Sequence, residues 1–263
     1  MKQLRVTVIS NKRLLGELYQ HRRLKYSGSR LMWLKCPELV SEVKPGQFIM
    51  VDCGEKLLLP RPFSIHQIND DAIALFYAVL ADGKGTNQLS ERKAGDMLDM
   101  FGPLGNGFTQ QPESHKFLLV AGGMGIAPLY FMASKLIEEG HSMTLLYGTA
   151  NKDRYPVPGD IGVVAATEDG SVGHRGMVTD LIPEYIDWAD QVFACGPLPM
   201  YRYMAQMPEL KNKPVQVSLE VRMGCGRGVC YGCTLRTKSG LKKVCEHGPV
   251  FELDDIIWDG PGT

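Results

Sequence analysis

The stretch "FLLVAGGMGIAPLYFMASKLIEEG", residues 117–140, constrains the fold of this chain more than any other. A fully apolar run ends in glycines, and apolar residues at helical spacing follow, closed by a terminal glycine. This order reads as strand, tight turn and helix. Its first eighteen residues carry no charge and match a short membrane span in length, but three glycines and a proline break the helix a span would need. "SMTLLYG", "IGVVAAT", "QVFACG" and "VQVSLE" are further apolar strands, spaced widely enough for crossovers. The rhythm is that of an open parallel sheet.

Before Phe117 the pattern differs. "LRVTVIS", "RLMWLKC", "FIMVDC" and "AIALFYAVL" are short apolar and β-branched runs separated by turn formers such as "KPGQ" and "NDD", which suggests a small antiparallel barrel. "FGPLGNGFTQQPESHK" marks the boundary between the two regions. We expect a barrel over 1–103, an α/β domain over 104–219 and a small C-terminal region over 220–263, the last with little regular periodicity. No internal repeat or low-complexity tract interrupts this plan.

Composition narrows the function. Lysine plus arginine (29) balances aspartate plus glutamate (29), so no global field draws nucleic acid or an acidic membrane. The start, "MKQLRVTVISNKRLL", scatters basic residues where an export signal needs an apolar segment, and a cytoplasmic location is expected. There, seven cysteines should be thiols or ligands rather than disulfides.

Three stretches carry chemistry. In "AGGMGIAPL", Gly122, Gly123 and Gly125 follow a buried strand, so the backbone can approach a diphosphate at the start of the next helix. Pro128 makes the pattern depart from the G-x-G-x-x-G dehydrogenase fingerprint. "RPFS", Arg61 to Ser64, offers a guanidinium for phosphate, a rigid proline turn, an aromatic face for a flat ring and a hydroxyl. "GKGTNQLS" adds Gly85 and Thr86 at an expected helix start. Near the C-terminus, "MGCGRGVCYGC" and a later cysteine give C-x4-C-x2-C-x11-C: Cys225, Cys230, Cys233 and Cys245. That is the plant-type arrangement for a 2Fe-2S cluster, whereas zinc sites more often pair two short knuckles. Glycines at 224, 226, 228 and 232 let the loop wrap closely, with N–H groups free to point at sulfur. Cys36 and Cys53 lie in strand-like segments and read as core residues.

Arg61-Pro62-Phe63-Ser64, Gly85-Thr86, Gly102-Pro103-Leu104-Gly105, the loop Gly123 to Pro128 and Cys195-Gly196-Pro197-Leu198-Pro199-Met200 occur in the order of the motifs of the ferredoxin-NADP reductase superfamily, which the chain resembles over nearly its whole length. The resemblance implies FAD on the barrel. Arg61 would meet its diphosphate, Pro62 would shape the turn, Phe63 would pack on the isoalloxazine, and Ser64 would bond near its reactive nitrogen. Ala78, Val79 and Leu80 would supply backbone contacts. Phe63 stands where tyrosine is common in the family, so stacking is kept and a hydroxyl contact is lost. Gly196, Pro197 and Met200 would line the nicotinamide pocket, with Cys195 facing it.

The tail is too short for a complete ferredoxin domain. A flavin domain, a nucleotide domain and a compact cluster loop resemble the electron-transfer subunits of class B dihydroorotate dehydrogenase, and "SLEVRMGCGRGVCYGC" and "ATEDGSVGHRGMVTDLI" are similar to segments of that family. The resemblance implies an FMN-containing catalytic partner that oxidises dihydroorotate, two copies of each subunit, and electrons crossing the 2Fe-2S cluster to FAD and then NAD+. No dihydroorotate site is recognisable in this chain. Glu220, at the end of the last strand, would either orient the nicotinamide or be a solvated strand end. Lys152 or Arg154 could meet a 2′-phosphate, which leaves NAD against NADP open on residues alone. Other readings are a flavin and iron-sulfur subunit of an NAD(P)H:ferredoxin oxidoreductase or transhydrogenase complex, and a zinc-containing binding module.

Overall fold

The computed structural model describes residues 1–15, 19–21, 24–54, 57–154 and 161–258. Two sheets carry the fold. The first is built from β1 (Lys2–Leu15), β2 (Tyr19–His21), β3 (Leu24–Lys35), β4 (Phe48–Val51), β5 (Arg61–Ser64), β6 (Gln67–Ile68), β7 (Ala72–Leu80) and β8 (Met97–Leu104), with the short helices α1 (Pro37–Val40) and α2 (Lys84–Ser90). These strands form a curled antiparallel half-barrel in the order β5-β4-β8-β1-β3-β7-β6, with β2 added to β3. The two halves of the curl meet inside, where Phe63 of β5 and Tyr77 of β7 touch edge to face with ring centroids 5.4 Å apart. Met32, Leu34, Ile49, Val51, Ile73 and Leu75 fill the interior and are fully buried.

"RPFS" is a strand here rather than a free-standing turn. Pro62 has no N–H to give a sheet, but β5 is the edge strand, so only its inner side must pair. Phe48 faces Ser64, Ile49 faces Phe63, Met50 faces Pro62 and Val51 faces Arg61.

The second sheet comprises β9 (Lys116–Gly122), β10 (Ser142–Thr149), β11 (Val164–Thr167), β12 (His174–Arg175), β13 (Gln191–Cys195) and β14 (Val215–Ser218), all parallel in the order β12-β11-β10-β9-β13-β14. Helix α3 (Ile126–Glu138) follows β9, and α4 (Ile182–Tyr185) and α5 (Leu198–Met204) flank β13. Pro128 is harmless in the first turn of α3, where the N–H it lacks would have no helical partner. The helix stops before Gly140, whose φ of +79° suits a left-handed cap. Apolar residues surround α3 because it is covered on two sides. Leu129, Met132 and Leu136 pack into the parallel sheet, while Phe131 enters the barrel core. A fully buried Phe or Leu contributes roughly 1.5–3 kcal/mol, so α3 joins the two domains into one packed unit.

The tail after Glu220 holds more structure than its sequence suggests. β15 (Thr234–Thr237) and β16 (Gly240–Lys243) form a hairpin, α6 (Val244–His247) carries the last cysteine, and β17 (Val250–Glu252) pairs antiparallel with β14. Asn106, in the linker after β8, fastens this end. Its amide donates to His247 O (3.2 Å) and Val250 O (2.8 Å), and its Oδ1 accepts from the Val250 N–H at 3.0 Å. Among the described residues no helix is long and apolar enough to cross a membrane.

Candidate functional site

On the barrel, the residues expected at a flavin gather at one rim. Gly85 lies against Arg61: a Cβ on it would stand 3.3 Å from Arg61 Cγ and Nε. The Arg61 Nη1 donates to the carbonyls of Leu59 (2.6 Å) and Pro60 (3.3 Å), and no carboxylate pairs with the guanidinium among the described residues. A cation held by neutral carbonyls beside a glycine suits a phosphate. The Thr86 hydroxyl also holds its own backbone in place. It accepts from the Leu80 N–H at 3.1 Å and donates to Gly83 O at 3.3 Å, locking the end of β7 with Ala78, Val79 and Leu80 to α2. On the same helix, Gln88 Oε1 is buried beside Gly54 with no partner among the described residues. An orphaned acceptor there fits a ligand that brings hydroxyl donors, as FAD does.

In the parallel sheet, the chain leaves β9 toward β10 on one side and returns to β13 on the other, so the crevice above β9 and β13 is a topological switch point. The expected nucleotide residues form its floor. A Cβ on Gly125 would lie 1.9 Å from Cys195 O, so only glycine permits this approach. One on Gly122 would meet Pro197 Cδ at 2.9 Å and Met200 Sδ at 3.0 Å, and one on Gly196 would meet Met200 Cε at 2.6 Å. Gly123 has φ +56° and open space on its free side, which fits the close passage of a diphosphate. Asn151, just past β10, buries its Oδ1 without a partner among the described residues. The Lys152 N–H donates to Ser171 Oγ at 2.8 Å; the Arg154 side chain lies outside the described residues.

Cys195 is buried, and its Sγ is turned to Ser218 O at 3.4 Å. Tyr201, which sequence reasoning missed, governs this corner. Its hydroxyl accepts the Gly196 N–H at 2.7 Å and donates to Ser218 O at 2.6 Å, tying the ends of β13 and β14 together. Burial pushes both the Cys195 thiol and the Tyr201 phenol well up, with the Glu220 charge adding to each. Glu220 itself is solvent-accessible by area yet crowded by surrounding protein, and that desolvation raises its carboxyl.

His66 is a second residue the sequence did not mark. Fully buried two positions after Ser64, it has Nδ1 2.9 Å from Ala127 O, in the first turn of α3. A carbonyl only accepts, so Nδ1 carries the proton. The ring packs against Tyr130 (4.8 Å between centroids) and Phe76 (5.4 Å), and burial lowers its pKa to about 4. A neutral histidine thus fastens the flavin strand to the nucleotide helix.

The four loop cysteines come together as two pairs. Cys233 and Cys245 have sulfurs 3.3 Å apart, too far for a disulfide, and Cys225 shares a hydrogen bond with Cys230. Among the described residues no three His, Cys, Asp or Glu side chains gather as on a single ion. Two sulfur pairs are the donor set of two irons sharing one cluster. Backbone N–H groups point at all four sulfurs: Arg227 and Cys230 at Cys225 (both 3.4 Å), Gly232 at Cys230 (3.5 Å), Cys245 at Cys233 (3.5 Å) and Gly228 at Cys245 (3.2 Å). The residues present therefore fit a 2Fe-2S cluster. The loop also rests on the barrel. A Cβ on Gly226 would lie 2.6 Å from Met50 Cγ, and the Arg227 guanidinium sits 4.4 Å from the centroid of Phe101 in β8. Met50 is the strand partner of Pro62. The β4–β5 pair thus meets the cluster loop at Met50, and the segment that follows β5 meets the nucleotide helix at His66.

Residues 220–257 match the family model described as the iron-sulfur cluster binding domain of dihydroorotate dehydrogenase B. The chain is 34% identical over 262 residues to the dihydroorotate dehydrogenase B (NAD(+)) electron transfer subunit of Caldanaerobacter subterraneus subsp. tengcongensis, covering 97% of this chain and 99% of that one. The chain belongs to this family. The corresponding subunit of Clostridium acetobutylicum is 40% identical over 219 residues, covering 82% of this chain and 87% of its own. Among solved structures, one described as an NADH-dependent reduced ferredoxin-NADP oxidoreductase, studied for flavin-based electron bifurcation, aligns with TM-score 0.81 and 28% identity over 97% of this chain and 90% of that one. A ferredoxin reductase of carbazole 1,9a-dioxygenase shares the fold (TM-score 0.67, 20% identity, 82% of this chain and 68% of that one).

Proposed function

We propose that this dihydroorotate dehydrogenase B electron transfer subunit takes electrons from a dihydroorotate-oxidising catalytic subunit and delivers them to NAD+, within pyrimidine biosynthesis. The observation that carries the reading is the contact of the barrel with both the cysteine loop, at Met50 beside β5, and the nucleotide helix, at His66 just past β5. The protein's cofactors are FAD, a 2Fe-2S cluster and NAD; when bound, the flavin exchanges electron pairs as hydride with nicotinamide and single electrons with the cluster.

Each residue group has a task in that scheme. Arg61 neutralises the flavin diphosphate beside Gly85. Phe63, held edge-on by Tyr77, gives the ring a wall, and Pro62 and Ser64 shape its edge. Thr86, beside Gly85 at the diphosphate turn, fixes the backbone of Ala78, Val79 and Leu80. Gly122, Gly123, Gly125 and Pro128 receive the nucleotide diphosphate. Gly196, Pro197 and Met200 form the nicotinamide floor, and Glu220 orients the carboxamide end from the rim. Cys195 acts as a packed wall of that floor, held there by Tyr201 and Ser218. Cys225, Cys230, Cys233 and Cys245 hold the irons. Asn151 Oδ1 needs a donor, which a ribose 2′-hydroxyl provides and a 2′-phosphate does not, so NAD is the preferred nucleotide.

The partner carries FMN and joins two-by-two, in the cytoplasm, where the cluster thiolates stay reduced. It faces the loop at Val229, Cys230 and Tyr231, which are exposed although two of them are large apolar residues. The likeness to the NADH-dependent ferredoxin-NADP oxidoreductase supports one other reading, in which the electron donor is a ferredoxin. Reconstitution decides between them. Mixing the purified chain with the catalytic subunit should give dihydroorotate-dependent NAD+ reduction that neither supports alone; activity with reduced ferredoxin and none with dihydroorotate would establish the second reading.

A further inference from the structure

The cluster loop has a charged pair beneath it that no step of the proposed function uses. Lys243 ends β16, one residue before α6, and its side chain is only 18% exposed. Its ammonium donates to Gly228 O at 2.8 Å, forms an ion pair with Glu246 one helical turn ahead, and lies 4.9 Å from the centroid of the Tyr231 ring. Gly228 is in the left-handed region at φ +71°, and a Cβ there would fall 2.5 Å from Glu246 Oε2 and 3.3 Å from Lys243 Nζ. Glycine lets the loop settle closely on this pair.

Both peptides that flank Gly228 lie against cluster sulfurs, and Lys243 bonds one of them. The Gly228 N–H donates to Cys245 Sγ at 3.2 Å. The Gly228 carbonyl belongs to the next peptide, whose N–H, on Val229, is near enough to Cys225 Sγ to favour its thiolate. A cation on a carbonyl oxygen polarises that peptide and makes its N–H the stronger donor. Hydrogen bonds to cluster sulfurs, together with local net charge, set a cluster's reduction potential.

We propose that Lys243 and Glu246 are positioning and tuning residues that set the cluster's reduction potential, Lys243 raising it through the 228–229 peptide and Glu246 opposing it. The inference rests on the cluster reading given above. Reduction adds one negative charge to the cluster, so an ammonium bonded to its loop favours the reduced form and a carboxylate disfavours it. Removing each partner should therefore move the potential in opposite directions, a signature that a merely structural pair would not give.

The test is a redox titration of the full-length chain followed by EPR, with iron content measured alongside. Lys243→Met should retain the cluster and lower its potential by the equivalent of about a tenfold change in the one-electron equilibrium with the flavin, about 59 mV. Glu246→Gln should raise it, and Lys243→Arg should stay near the wild type. Cluster-containing variants with unmoved potentials, or potentials moved in the same direction, would overturn the proposal. If Lys243→Met fails to hold iron, Glu246→Gln decides alone, an upward shift supporting the proposal and any other result overturning it. A wild-type chain with no cluster signal would instead overturn the cluster reading itself.

Discussion

The core cysteines and the loop cysteines place one side chain in two environments. Cys36 and Cys53 are fully buried among barrel residues, and burial pushes each thiol up to about 11. In the loop, Cys225 is brought down to about 6, first by the Arg227 N–H and then by those of Cys230 and Val229. Cys245, more deeply placed and beside Cys233, is pushed up to about 11 despite the N–H of Gly228. Burial alone therefore does not separate inert sulfur from ligand sulfur. What separates them is a backbone folded so that its N–H groups face the sulfur, and the glycines at 226 and 228, both at positive φ, make that folding possible.

The largest effect that tests this contrast is loss of the cluster. Cys233→Ala should abolish bound iron and the visible cluster absorption while the flavin remains. Next is Gly125→Ala, whose Cβ would strike Cys195 O; the variant should lose NADH-dependent flavin reduction and about 3 kcal/mol of stability, read by urea unfolding. His66→Phe tests the tie between the domains through pH. Below the ordinary value of 6.5 the unfolded chain protonates this ring, while the folded chain, held at about 4, does not. Its stabilising effect is thus whole above pH 6.5 and fades as pH falls toward 4, by up to about 3 kcal/mol. The difference in unfolding free energy between wild type and His66→Phe should shrink or reverse over that window, and a pH-independent difference would contradict the assignment. Smallest is Cys53→Ala, which should cost roughly 1–2 kcal/mol as a small cavity and leave cluster content unchanged. In cluster-free protein at pH 7, iodoacetamide should label Cys225 well before Cys53.

Much of this was legible from residue order. The run 72–80 is β7 to the residue, and 117–140 holds all of β9 but its first residue, and then α3, as expected, because strongly periodic apolar segments leave little choice. "RPFS" hid its strand because proline argues against a sheet unless the strand lies at an edge, and that position depends on the order of strands far away in sequence. The C-terminal hairpin escaped notice because β16 is mostly solvent-facing and carries no alternation, while β17 takes its register from β14. The four cysteines announced themselves by spacing. His66 and Tyr201 did not, since their roles come from partners 61 and 17 residues away. That the Thr86 hydroxyl also ties α2 to the end of β7 is visible only in the local hydrogen bonds.

The measurement that bears most directly on the account is an anaerobic titration of the purified chain with NADH, following the visible spectrum together with flavin, iron and sulfide content. The account predicts bleaching of both the flavin and the 2Fe-2S signals in one chain, because the strand paired with β5 meets the cluster loop at Met50 and the segment after β5 meets the nucleotide helix at His66. A flavin that bleaches beside a cluster that stays oxidised, or a colourless zinc-containing protein unchanged by NADH, would contradict it.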